Sequence, residues 1–167
     1  MRYPVRAGVV DFSAGSSLPR ETRAEQGLAL RAAALLGLAE PRGLVVLAGE
    51  WSACAEELLA MTDGVRLLAL DFADGLESGG PLSLALIADV LPLAEGCARG
   101  IALDLAHSTG SLLDGAARAL APGGRLIAPA AAPVPPMLRE LARDDRQWVA
   151  EKSATTTSAP VAIAPRR

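Results

Sequence analysis

Five short apolar runs are spaced along the chain: Leu44–Ala48, Val65–Leu70, Leu82–Ala88, Gly100–Leu105 and Arg125–Ala128. Each has the length of a strand. Leu44–Ala48 is apolar throughout, as expected of a central parallel strand covered on both faces. Between and around these runs the apolar residues change to helical spacing. Glu21–Leu38 predicts a long helix, with Leu28, Ala32, Leu35 and Leu36 on one face. Ala53–Met61 predicts a second helix, with Ser52 as candidate N-cap. Leu112–Leu120 predicts a third, for which Ser108 and Ser111 compete as caps, and Met137–Asp144 a short fourth.

Pro41-Arg42-Gly43, Thr62-Asp63-Gly64, Gly79-Gly80-Pro81 and Pro122-Gly123-Gly124 punctuate the pattern. Ahead of it, Tyr3–Phe12 reads as a strand-and-turn segment, and Ser13–Pro19 as a polar linker. After it, Pro129–Pro136 reads as a rigid loop, and Gln147–Lys152 with Val161–Ala164 as an antiparallel pair closing the sheet. The expected architecture is therefore a doubly wound α/β domain over residues 21–167. Its sheet is mostly parallel, with a C-terminal antiparallel hairpin. Residues 1–20 form an N-terminal arm and linker.

In such a fold, ligands bind at the carboxyl ends of the strands, near the point where strand order reverses. That directs attention to Gly49–Ser52, Asp71–Ala73, Ala88–Val90 and Asp104–His107.

Composition narrows the picture. The 167 residues suit one domain, and 51% of them are hydrophobic, so most of the chain can fold around a core. Aromatics are only 3%, which favours a core of Ala, Leu and Val between helices and a parallel sheet over a β-sandwich. The net charge of −3 offers no basic face for nucleic acid. One histidine and two distant cysteines, Cys54 and Cys97, make a structural zinc site improbable, and no metal is expected. Two buried thiols in a reducing cytoplasm is the simpler reading of that pair. No signal peptide and no membrane-spanning run of roughly 20 apolar residues is visible. No GxSxG elbow and no phosphate-binding GxxxxGK occurs.

Five features in order give the chain a family resemblance. They are LVVLAGEWSA at Leu44–Ala53, then LLALDF with Asp71 placed 22 residues past Gly49, then ADVLPL at Ala88–Leu93. The strand GIALDL and its helix follow, and the helix–PGGRLI strand comes last. Together they resemble the class I S-adenosylmethionine methyltransferases, in particular the small type 11-like members. The resemblance implies a Rossmann-like methyltransferase fold and S-adenosylmethionine as cofactor. It assigns Gly49 to the cofactor loop, Asp71 to the two ribose hydroxyls and Asp89 to the adenine amino group. A carboxylate can accept two hydrogen bonds from a diol. Asp71 could equally be a turn or capping acid, and Asp89 a solvated strand-end residue.

The chain departs from the family at the cofactor loop. The acid expected two residues before Gly49 is Leu47, and the later glycine positions hold Trp51 and Ala53. An indole at Trp51 weakens the case for the cofactor, unless it folds away from the pocket. Asp104 closes its strand, where it could face a ligand or brace a loop. His107 could be a general base, or simply a polar residue ahead of Ser108. No catalytic residue is assigned.

The segment RYPVRAGVVDF is similar to the end of the small Trm112-like zinc module, although that module's cysteines are absent. It could serve as a β-arm for a partner or for a homo-oligomer. Two functions stand open: a methyltransferase-like protein that retains S-adenosylmethionine, with weak or no catalysis, and a non-catalytic relative acting as a binding or scaffold module. A small-molecule or protein partner is unspecified, and neither nucleic acid nor membrane is favoured.

Overall fold

The computed structural model describes residues 3–13, 25–39 and 43–153. Among the described residues, nine strands form one sheet. They are β1 (Val5–Arg6), β2 (Val9–Asp11), β3 (Gly43–Ala48), β4 (Val65–Leu70), β5 (Leu82–Leu86), β6 (Ala98–Ala102), β7 (Leu120–Pro129), β8 (Leu138–Arg143) and β9 (Gln147–Lys152). Their spatial order is β1-β2-β5-β4-β3-β6-β7-β9-β8. All neighbours from β2 to β7 run parallel, while β9 is antiparallel to both β7 and β8. The five expected strands therefore make one parallel sheet with β3 at its centre, and the described chain closes in an antiparallel hairpin.

β3 is central because both of its faces are covered. Val45 and Leu47 pack with α1 (Leu28–Leu36) and α2 (Ala55–Met61), whereas Val46 and Ala48 pack with α3 (Gly110–Ala119). The result is three layers. Ala116, Ala117 and Ala119 of α3 are fully buried. Such small side chains let the helix approach the sheet closely, which explains how a chain so poor in aromatics fills its core.

Several local expectations are corrected. The first helix begins at Leu28, because Gly27 sits at φ 78°, outside helical geometry; residues 21–24 of the expected stretch lie outside the described residues. The second is preceded by a 3-10 turn, Gly49–Cys54, and starts at Ala55. Ser52 does not cap it, because its hydroxyl donates to Gly49 O (2.6 Å) and accepts from Ala73 N (2.8 Å). Neither Ser108 nor Ser111 caps α3, whose N-cap is Thr109. Both serine hydroxyls are instead spent on carbonyls, of Asp104 and Asp89 respectively.

The expected helix Met137–Asp144 is the edge strand β8. Its sequence LRELAR is rich in helix formers, but a hairpin with β9 overrides that local preference. Asp144 Oδ1 holds the turn by accepting from the backbone N–H of Arg146 and Gln147, both at 2.8 Å. The fully buried Trp148 then anchors β9 through Nε1 to Ala132 O (2.8 Å). Val161–Ala164 lies outside the described residues. At the other edge, β1 and β2 form a hairpin, and β2 joins the sheet beside β5. Of the two cysteines, Cys54 is buried but Cys97 is exposed.

Candidate functional site

The carboxyl ends of β4, β3 and β6 lie side by side at the centre of the sheet. Each delivers one residue to a common cluster. Asp71 follows β4, Gly49 follows β3, and Asp104 stands two residues past β6. The chain's only histidine, His107, arrives three residues later and bridges the two acids. Its Nδ1 lies 2.5 Å from Asp104 Oδ1, and its Nε2 lies 2.9 Å from Asp71 Oδ2. All three side chains are buried.

Backbone donors complete the cluster. Asp71 Oδ1 accepts from Ile87 N (3.0 Å), Asp104 Oδ2 from Glu50 N (3.2 Å), and Asp104 Oδ1 also from His107 N (3.1 Å). With a carboxylate at each ring nitrogen, the imidazole is satisfied only when both nitrogens carry protons. Burial opposes that charge, but the hydrogen bonds and charges of Asp104 and Asp71 outweigh it and push the His107 pKa up to about 9. Burial likewise opposes the Asp104 charge, and the His107 hydrogen bond and charge, with the backbone donors, hold its pKa below the ordinary value. An imidazolium donating from both nitrogens has no lone pair for general-base work near neutral pH.

The cluster also explains Gly49. This residue sits at φ 57°, and a Cβ there would collide with the Asp104 carboxylate. The glycine thus makes room for a side chain of the same protein.

Trp51 is buried beside the cluster. Its Nε1 donates to Leu103 O (3.3 Å), spanning from the end of β3 to the end of β6. The Glu50–Asp104 bond crosses the same gap. Two links thereby join the ends of β3 and β6, where the chain switches from one side of the sheet to the other. On its outer side, Trp51 borders an open cleft of about 940 Å³ with Leu28, Arg31, Leu103, Ile127 and Gln147 among its walls.

Of the residues singled out from the sequence, Gly49 and Asp71 come together at the cluster. Asp89 does not: it is exposed and lines neither cluster nor cleft. His107 is not a solvent-facing residue ahead of a cap: both of its ring nitrogens are engaged by carboxylates. The sequence signal for the bridge was an acid closing a strand with the sole histidine three residues on. Its second partner, Asp71, lies 36 residues away and gave no local sign. Among the described residues, no group of three or more His, Cys, Asp or Glu side chains is arranged to hold a metal ion. No helix among them is long and apolar enough to cross a membrane.

Comparison with solved structures places this architecture. An S-adenosyl-L-methionine-dependent methyltransferase assignment from Methanococcus maripaludis aligns at TM-score 0.53 and 10% identity, covering 78% of this chain and 86% of that one. Geranyl diphosphate methyltransferase in complex with GPP and sinefungin aligns at TM-score 0.50 and 13% identity, covering 62% of this chain and 44% of that one. The chain has the class I methyltransferase fold. A chain from the complex of the Haloferax volcanii Trm112 methyltransferase activator with a methyltransferase also aligns, at TM-score 0.45 and 21% identity, covering 62% of this chain and 54% of that one. This chain thus spans about half the length of the last two. No sequence-family profile matches it, and no curated protein matches in sequence.

The family resemblance sets S-adenosylmethionine over Gly49, with its ribose at Asp71, and both positions are engaged by the chain's own groups. The space over Gly49 holds the Asp104 carboxylate, and the Asp71 carboxylate is engaged by His107 and Ile87 N.

Proposed function

We propose that this chain is a non-catalytic protein of methyltransferase fold, acting as a binding module whose cofactor position is filled by its own side chains. The observation that supports this reading is the Asp104 carboxylate seated over Gly49 and tied through His107 to Asp71. A ligand entering there must break a buried ion-pair network. Breaking a buried pair costs about 3–5 kcal/mol. The free Cys54 and Cys97 support a reducing, cytoplasmic setting for the same reading. A partner at the N-terminal β-hairpin, whether a second copy or another protein, belongs to this proposal as well.

The second reading is a protein that still binds S-adenosylmethionine. It is favoured by the place of Asp71, directly after β4, where the family resemblance sets the ribose-binding acid. Calorimetric titration with S-adenosylmethionine and S-adenosylhomocysteine separates the two. The proposal expects no saturable heat from either. Micromolar binding that Asp71→Ala weakens by about 1.5–3 kcal/mol, the range for hydrogen bonds to a charged group, would establish the second reading instead.

A further inference from the structure

The cleft outside Trp51 has a charged rim that the closed cofactor position does not explain. Arg31, on α1, lies over the Trp51 ring with its guanidinium carbon 5.2 Å from the centroid. Its Nη2 donates to Gln147 Oε1 (3.1 Å). These two contacts fix the guanidinium from below and from the side. Its remaining groups are poorly satisfied. Nε is the one buried side-chain polar atom among the described residues without a hydrogen-bond partner. Nη1 has only Glu25 Oε2, at 3.7 Å. The other carboxylate oxygen of Glu25 reaches Arg146 Nη1 at 3.5 Å.

Glu25 thus places one carboxylate between two arginines at the mouth of the cleft, at distances too long for good charge-assisted bonds. Glu25 and Arg146 are both largely exposed, so the arrangement is weakly held. Asp144 also feels both guanidinium groups, but its carboxylate is occupied by the backbone of Arg146 and Gln147. Inside the mouth the walls turn apolar, through Trp51, Leu28, Leu103 and Ile127. The volume is at the upper end of the range for small-molecule pockets. Glu50 and Asp104 also line the cleft and set a negative charge against a second anionic group.

We propose that this cleft binds a small organic monocarboxylate with an apolar body. Its carboxylate takes the place of Glu25 between Arg31 and Arg146, and its body lies against Trp51. Arg31 is already oriented by Trp51 and Gln147, so little side-chain ordering is required on binding. The cleft shares Glu50, Trp51 and Asp104 with the proposed closed cofactor position, and the proposal goes beyond that reading by assigning the cleft an occupant of its own.

Calorimetric titration of the full chain with 3-phenylpropionate tests it. The neutral 3-phenylpropanamide controls for the apolar body, inorganic phosphate for a bare anion, and phenylsuccinate for a second charge. The expected result is saturable binding of 3-phenylpropionate, with all three controls weaker. Arg31→Gln should weaken it by about tenfold, as expected for loss of a charge-assisted contact. Arg146→Gln, at an exposed position that leaves folding intact, should weaken it by about threefold. Glu25→Gln should strengthen it, because the resident carboxylate no longer competes. Equal binding of the amide, preference for phosphate, or unchanged affinity in both Arg146→Gln and Glu25→Gln overturns the proposal. So does absence of binding in the wild type and in Glu25→Gln alike. Binding of S-adenosylmethionine would overturn the reading of the cofactor position and leave these outcomes distinct.

Discussion

Replacing His107 by Gln removes the imidazolium from between Asp71 and Asp104, and the structure sets both the size and the pH dependence of the effect. Glutamine can donate to one carboxylate but carries no charge, so two buried acids are left facing each other. The His107 pKa stands at about 9, against an ordinary value of 6.5. That difference corresponds to about 3 kcal/mol of stability, taken as an order of magnitude. Because the folded-state value is the higher one, this contribution is complete below about pH 6.5 and is lost as pH rises through about 9. Asp104 has the opposite sign. Its folded-state pKa is depressed, so its contribution is present above the ordinary value of 3.8 and is lost as pH falls through the folded value. Urea unfolding of wild type and His107→Gln at pH 6 and at pH 10 checks the reasoning. At pH 6 the variant should be less stable by about 3 kcal/mol. At pH 10 the wild-type imidazole is neutral too, and most of the gap should close. A gap of the same size at both pH values would show that His107 contributes packing alone, and would refute the ion-pair account.

Other consequences follow from the same contacts. Trp51→Gly should cost about 3–5 kcal/mol, the range for truncating a buried aromatic, and denaturant unfolding measures it; a cost near zero would mean that the indole does not brace the β3–β6 crevice. Asp144→Ala should lower the thermal midpoint by loosening the β8–β9 turn, whereas Asp144→Asn, which keeps an acceptor, should retain most of it. A thiol reagent should modify the exposed Cys97 in the native protein and leave Cys54 until unfolding, since Cys54 is buried and its pKa is pushed up to about 12.

The sheet was legible because a parallel strand buried on both faces must be apolar along its length. Leu44–Ala48 announced itself in this way, whereas Pro122-Gly123-Gly124, expected to separate helix from strand, lies inside β7, which already begins at Leu120. The edge was less legible. In β8 only Leu138 is buried, so LRELAR carries no strand alternation and its composition favours a helix. What makes it a strand is the Asp144 turn and the pairing with β9, which no local pattern encodes. The site was half legible for a related reason. Sequence shows that Asp71 and Asp104 close strands, and topology sets those strand ends beside Gly49. It does not show whether such acids face a ligand or one another. That choice is made by His107, whose two ring nitrogens reach residues 36 and 3 positions away. Asp89 had the same strand-end credentials as Asp71 and faces solvent.

The central claim, that the chain's own ion-pair network fills the cofactor position, has an unusually clean probe, because His107 is the only histidine in the sequence. The measurement is an NMR pH titration of its imidazole, with and without S-adenosylmethionine. The account predicts protonation of both ring nitrogens at neutral pH, a pKa near 9, and signals that the added nucleoside leaves unmoved. A pKa near 6.5, or imidazole signals that shift saturably with S-adenosylmethionine, would contradict it.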